Sequence, residues 1–151
     1  MQYILRRIRR IIMENCIFCK IINKEVPCYN IYEDDLVLAF LDINPVVEGH
    51  TLIIPKKHFE NIFDIEEEYL QRIIAVSKKI SFKMKEVMGI EGINLYQANG
   101  SLAGQTVFHF HLHVLPRKEG DKIDFIKWMS STTKKMEKEQ FEEIRNKLII
   151  T

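Results

Sequence analysis

From Cys16 onwards the apolar positions fall into short runs of changing period, and each run predicts an element. "FCKIINKEV" predicts a short helix closed by Pro27. "NIYED", "LVLAFLDI" and "HTLIIP" predict three strands, rich in β-branched and aromatic residues and punctuated by Asp34-Asp35, Asn44-Pro45 and Pro55. A long helix over about residues 65 to 88 comes next. Leu70, Ile73, Val76, Ile80, Met84 and Val87 form its apolar stripe, Asp64 and Glu67 its capping box, and Gly89 its end. Such a stripe predicts core packing. "INLYQAN" (93–99) predicts a fourth strand, and "TVFHFHLHVL" (106–115) a fifth, stopped by Pro116. Phe141, Ile144 and Leu148 predict a helix over about residues 134 to 150. Strands in near succession with one helix inserted imply a mostly antiparallel sheet with helices on one side, an α+β fold.

Composition narrows the class. A chain of 151 residues, 46% hydrophobic, is long enough for one well-packed domain, and no repeat or linker divides it. The net charge is +1, yet "MQYILRRIRRII" holds four arginines and no acid, which leaves 18 basic against 21 acidic residues in the remainder. That mildly acidic body argues against sequence-specific nucleic-acid binding. No apolar run approaches the roughly 20 residues that span a bilayer. The leader lacks the apolar core and cleavage site of a secretory signal. A cytoplasmic protein without stable membrane association is the expectation. Residues 1–12 read as a basic amphipathic extension, with Ile4, Leu5, Ile8, Ile11 and Ile12 on one helical face and Arg6, Arg7, Arg9 and Arg10 mostly on the other, a membrane-surface or transit-like pattern. The simpler reading, preferred because "MENCIFCKI" begins so abruptly into patterned sequence, is that Met13 is the functional start and the leader an upstream extension. Residues 13–151 are read as a single domain that includes the C-terminal helix.

Three of the five histidines fall in one window, His109, His111 and His113. On a strand they share one face, with Phe108, Phe110, Leu112 and Val114 on the other. At about 3.3 Å per residue the outer two are roughly 13 Å apart, so all three meet one ion only on a strongly bent strand. Three readings compete: a surface stripe of titrating histidines; a metal site of two histidines with Asp42 or Glu48; and a nucleophilic imidazole acting at phosphorus, positioned by its neighbours. "NGSLAGQ" (99–105) favours the third. Its glycines let backbone N–H groups approach a phosphate, while Asn99, Ser101, Gln105 and Thr106 offer neutral donors.

"HFHLHVL" fits the His-φ-His-φ-His-φ-φ signature of the histidine triad (HIT) superfamily. "CIFCKIINKEVP", "YEDDLVLAFLDINP", "GHTLIIPKKH" and "AGQTVFHFHLHVLPR" also resemble its prokaryotic and adenosine 5′-phosphoramidase members, over about Glu14 to Arg117. The hexose-phosphate nucleotidyltransferase branch has glutamine where this chain has His113. The resemblance implies a HIT-like fold: a five-stranded antiparallel sheet, with a long helix and short helices packed on it, that dimerises into a continuous sheet. It implies hydrolysis of an AMP conjugate, a phosphoramidate or acyl-adenylate, through a covalent nucleotide on His111. His113, Asn99, Gln105 and Thr106 would serve the phosphate and leaving group. Asp42 would accept the ribose hydroxyls, His50 would support the phosphate site, and Ile17, Phe18, Ile21, Phe40, Ile43 and Leu52 would wall the base. An attacking imidazole keeps the proton on its other nitrogen, held by a carbonyl or a carboxylate, and phosphoryl-type transfer needs no catalytic metal. Two alternatives stay open: a dinucleoside polyphosphate hydrolase, and a purine-nucleotide-binding regulatory dimer.

Cys16 and Cys19 supply two soft ligands at C-x₂-C spacing. By resemblance to prokaryotic members, His58 and His109 complete a structural zinc site; the alternative is a reduced cysteine pair in an apolar corner. Cys28 reads as a small core residue, and Trp128 as packing or as a residue reaching a neighbouring subunit's pocket.

Overall fold

The structure is a computed structural model that describes residues 15–124 and 136–148. The arginine-rich leader and Trp128 lie outside the described residues. The chain forms two compact units, one ending at Asp121 and one beginning at Lys122. The described helix of the second is α3 (Lys138–Leu148), within the predicted range.

In the first unit the order is α1 (Ile17–Ile22), β1 (Asn30–Glu33), β2 (Val37–Leu41), β3 (Thr51–Pro55), α2 (Glu67–Met88), β4 (Gly92–Tyr96) and β5 (Leu112–Arg117), with a 3₁₀ turn at Ser101–Ala103. The strands form one five-stranded sheet in the order β1-β2-β3-β5-β4, antiparallel throughout. The α+β class and the antiparallel sheet are as the sequence predicts.

The helices, however, cover both faces. Val37, Ala39, Ile53, Leu112 and Val114 pack with Ile73, Val76, Ile80 and Met84 of α2. Leu38, Phe40, Leu52 and Ile54 pack with Phe18, and Ile21 and Ile22 of α1 lie against that second cluster. "VLAFL" and "TLIIP" are apolar at nearly every position because neither face of β2 or β3 meets water. Each of their Val, Leu, Ile and Phe side chains, where fully buried, contributes about 1.5–3 kcal/mol.

The ends of two elements also differ. No capping box forms: Glu66 is the N-cap and makes no side-chain cap bond. The Asp64 carboxylate instead accepts the backbone N–H groups of Glu60 (2.9 Å) and Asn61 (2.8 Å), closing the preceding loop. Gly89 ends α2 in the left-handed conformation as expected, and Val87, expected in the stripe, is exposed. β5 begins at Leu112, not at Thr106, because both neighbours have turned away by then: the last pairs are Ile53 with Leu112 and Tyr96 with His113. Pro116 lies inside β5, opposite Ile93 of β4 and beyond the last β3 pair at Val114. A proline is tolerated where a strand has a neighbour on one side only.

Candidate active site and metal cluster

The segment before β5 stays extended without a continuous ladder. Phe110 donates its N–H to Phe59 O at 2.7 Å, and this anchor keeps the alternation. Phe110, Leu112 and Val114 enter the α2-side core, and His109 and His111 turn towards α1, where the Phe18 ring meets theirs edge-on at 5.8 and 5.3 Å. Phe108 departs from the pattern and is exposed. His109 is fully buried and His111 only 6% exposed, which removes the surface-stripe reading.

His111 Nδ1 donates to the backbone carbonyl of His109 at 2.7 Å. The proton is thereby committed to Nδ1, and Nε2 keeps its lone pair. Burial, with the nearby His109, lowers the His111 pKa against the opposing pull of its own hydrogen bond and of Asp42. A neutral imidazole with a free Nε2 can act as a nucleophile or as an acceptor.

His113 and His50 form a second chain of fixed tautomers. Val46 N–H donates to His50 Nδ1 at 3.3 Å, so His50 carries its proton on Nε2. That nitrogen is 2.8 Å from His113 Nδ1, which must accept, leaving His113 with an Nε2–H donor. Asp42 Oδ2 lies 3.6 Å from His50 Nε2, and its Oδ1 accepts Asn44 N–H at 2.8 Å. Burial, with His111 and His50 beside it, lowers the His113 pKa to about 4. Burial likewise lowers that of His50, against Asp42. Asp42, His50 and His113 hold three potential ligand atoms close together. The 2.8 Å contact is nevertheless a hydrogen bond, shorter than the roughly 3.3 Å between two imidazole nitrogens on a tetrahedral zinc. Glu48, the other carboxylate considered, is exposed and 3.8 Å from Lys118.

The glycine-containing loop is tied to the loop before α2. Asn99 Oδ1 accepts Ile62 N–H at 2.7 Å, and Asn99 Nδ2 donates to Gln97 Oε1. Gln105 departs from its expected part as a phosphate donor. It is 3% exposed; its Nε2 donates to the carbonyls of Glu60 (2.7 Å) and Val107 (3.0 Å), and its Oε1 accepts Gly100 N–H (2.8 Å). Both amide protons are used, so this side chain holds the loop's shape. Thr106 is exposed, beside a cavity of about 440 Å³ that it lines with Cys16, Ile17, His58, Val107 and Phe108. Of the expected base wall, Phe18, Phe40 and Leu52 share one buried cluster with Ile21 against it. Ile17 borders that cavity, and Ile43 projects into solvent, 77% exposed. Tyr96 escaped the sequence reading; it lies opposite His113 in the β4–β5 register, the rings 5.6 Å apart.

Cys16, Cys19, His58 and His109 converge, their four ligand atoms all within 4.8 Å of one another. Cys16 is the N-cap of α1 and its sulfur accepts Cys19 N–H, so the helix start points both thiols one way. Cys16 Sγ is 3.4 Å from His109 Nδ1; Cys19 Sγ is 3.4 Å from His58 Nδ1 and 3.6 Å from His109 Nδ1. The two Nδ1 atoms are 3.2 Å apart. Tetrahedral zinc, from its usual bond lengths, sets ligand atoms about 3.3 Å apart for two nitrogens and about 3.6 Å for nitrogen and sulfur. His109 Nε2 donates to Pro55 O at 2.9 Å, which frees Nδ1 as a ligand. Burial pushes both thiols up; the His109 and His58 contacts outweigh it for Cys16, whose pKa falls, and the charge on Cys16 raises Cys19 further. The donor set and its spacing fit a metal ion.

The sequence profile of the HIT domain family matches residues 23–120. The chain belongs to the HIT domain family. A HIT-like protein of Borreliella burgdorferi is 54% identical over 115 residues, 75% of this chain and 83% of that protein. An adenylylsulfatase of Arabidopsis thaliana is 38% identical over 124 residues, 82% of this chain and 61% of its own length. Among solved structures, a zinc-bound histidine triad family protein from Mycobacterium smegmatis is 41% identical, covers 75% of this chain and 82% of its own, and superposes with a TM-score of 0.71. The five-stranded antiparallel sheet of this HIT protein matches solved HIT family structures, and no helix among its described residues is long and apolar enough to cross a membrane.

Proposed function

We propose that the protein is a nucleotide hydrolase that cleaves AMP conjugates, phosphoramidates or acyl-adenylates, at the α-phosphorus. The observation that carries this reading is the His111 Nδ1–H bond to the His109 carbonyl, which leaves Nε2 unprotonated and available for attack. In this reading Nε2 attacks phosphorus, a P–N bond to the imidazole forms and the bond to the leaving group breaks. Water then hydrolyses the nucleotidyl-histidine to AMP and restores His111. In this reading His113, its tautomer set by His50, offers Nε2–H to the phosphate oxygens. A bound phosphate anion raises the proton affinity of His113, so a proton taken up with substrate is available to a leaving nitrogen; an acyl leaving group departs as carboxylate and needs none. Asn99 and Thr106 flank the phosphate, and Asp42, Phe18, Phe40, Leu52, Ile21, Ile17 and Ile43 serve ribose and base. The adenylylsulfatase relative, by its name, supports cleavage beside an adenylyl phosphorus.

The Cys16, Cys19, His58 and His109 cluster would hold a structural zinc, whose chemistry there is to tie α1 to the end of β3 and to the segment before β5. About one zinc per chain is expected, and a metal analysis finding none after gentle purification refutes it. The free cysteines suit a reducing cytoplasm. A homodimer paired along β4 fits that strand's open edge and its exposed Leu95 and Tyr96; sedimentation should show a dimer that Leu95→Lys dissociates, and a monomeric wild type excludes it.

The deciding experiment supplies adenosine 5′-phosphoramidate and diadenosine tetraphosphate to wild type and His111→Ala at neutral pH. Faster AMP release from the phosphoramidate, lost by a factor of about 10³ or more in the variant with AMP affinity within a few-fold, is expected. Preference for the tetraphosphate would move the protein to the polyphosphate hydrolases. Binding of AMP without turnover of either would make it a nucleotide-binding regulator.

A further inference from the structure

We propose that the Cys16, Cys19, His58 and His109 cluster acts as a positioning device for the nucleotide site, metal held there fixing both the tautomer of His111 and the Phe18 wall. The inference rests on the nucleotide and zinc readings above and adds a coupling between them.

Two connections run from the cluster to the site. The first passes through His109, whose Nδ1 faces the thiols and whose backbone carbonyl accepts the His111 Nδ1 proton at 2.7 Å. With its ring held at Nδ1 and at Nε2 by Pro55 O, His109 holds its own carbonyl where the nucleophile needs it. The second passes through Phe18, which stands between the two cysteines in α1. Its ring meets His111 at 5.3 Å and Phe40 at 5.7 Å, both edge-on. A helix of six residues has too few internal bonds to hold itself, so its place depends on its anchors. Two of those anchors are the cluster thiols.

The geometry also says what metal removal does. Two imidazole Nδ1 atoms 3.2 Å apart, His109 with its proton committed to Nε2, are joined either by a cation between them or by a proton on His58 Nδ1. Stripping the ion leaves a proton to bridge one nitrogen pair, with the thiols crowded around it. Without the ion the thiols and imidazoles have no common centre, and the parts that lose an anchor are α1, which carries Phe18, and the segment that carries the His109 carbonyl.

The test uses the full chain, loaded with zinc, stripped with a chelator, and reloaded with one equivalent. Metal content and circular dichroism establish the state, long-range ¹H–¹⁵N correlations read the His111 tautomer, and calorimetry reads AMP affinity. Loaded protein should show a single Nδ1–H tautomer. Stripped protein that is still folded should show a mixture and bind AMP about tenfold more weakly, with zinc restoring both, the scale of effect seen for residues that orient metal-site ligands. An unchanged tautomer and an AMP dissociation constant within twofold overturn the proposal. If stripping unfolds the chain, Cys16→His, which keeps four ligands of altered reach, takes its place: a metal-bound, folded variant should show shifted His111 resonances and weaker AMP binding, and wild-type values in both overturn the coupling. Failure of loaded wild type to bind AMP defeats the nucleotide reading alone, because the tautomer comparison still decides whether the cluster controls His111.

Discussion

Gly49 immediately precedes His50 and has a φ of +84°, which costs a residue with a side chain about 1–2 kcal/mol. A Cβ there would lie 2.8 Å from Met88 Cε, 3.1 Å from Met88 Sδ and 3.2 Å from Pro116 Cγ. Met88 can swing its thioether aside, whereas the Pro116 ring is fixed in β5. The residual overpacking adds about 1–3 kcal/mol, so Gly49→Ala should lose about 2–5 kcal/mol in all. Gly89 supplies the control: its φ is +63° and a Cβ would meet nothing within 4 Å. Gly89→Ala should carry the backbone cost alone. With a urea slope of about 1–3 kcal/mol per molar for a small protein, the Gly49→Ala midpoint should fall at least about 0.3 M further than that of Gly89→Ala. Turnover should separate the two variants as well, since displacing Gly49 moves His50 from its 2.8 Å contact with His113. Equal urea midpoints would refute the packing argument, leaving only the backbone conformation to explain both losses.

Asp34 organises the β1–β2 turn: Oδ1 accepts the N–H groups of Leu36 and Val37, each at 2.9 Å, and Oδ2 accepts Tyr32 Oη–H (2.9 Å) and Arg72 Nε–H (2.6 Å). Burial raises its pKa, but the Val37 and Leu36 amides, with Arg72 and Tyr32, outweigh it and bring the value down to about 2. Asp34→Ala should lose about 2–4 kcal/mol at pH 7. A carboxylate whose folded pKa is depressed stabilises above its unfolded value and loses that contribution as pH falls through the folded one, so the gap between wild type and variant should narrow between about pH 4 and pH 2; urea midpoints that stay equally separated across that window count against this. Gln105→Ala strands the Gly100 N–H and two carbonyls and should cost about 1–3 kcal/mol in a thermal melt. An unchanged melting temperature with reduced kcat would instead return Gln105 to the phosphate.

The alternation of histidine with apolar residues made the two-sidedness of the segment before β5 legible, because a period of two survives there even without a ladder. The five strands and the long helix were equally open to reading, since burial imposes their periods directly. That helices cover both faces was missed: strands in near succession implied helices on one side, although the nearly unbroken apolar runs of β2 and β3 carried the signal. The rest depends on partners remote in sequence. Gln105 and Asn99 look like loop donors until Glu60 and Ile62 arrive beside them, 45 and 37 residues away. Asp64 and Glu67 have the spacing of a capping box, but an Asp can equally close the turn before it, and the two outcomes share one sequence. Tyr96 became visible only when the β4–β5 register set it opposite His113.

The two borders of the sheet are unlike. Along β1 the register slips between Asn30 and Tyr32, so its outer row of donors and acceptors is interrupted, whereas β4 pairs without irregularity from Gly92 to Tyr96 and, among the described residues, offers an unbroken outer row. Growth by strand addition therefore has a good site on one border and a poor one on the other. Two copies joined β4 to β4 would consume both good borders and present only interrupted ones, and the assembly would terminate at that step. A sheet with two regular borders could add copies indefinitely; a sheet with one could add a single copy, and the slip in β1 is what makes the difference.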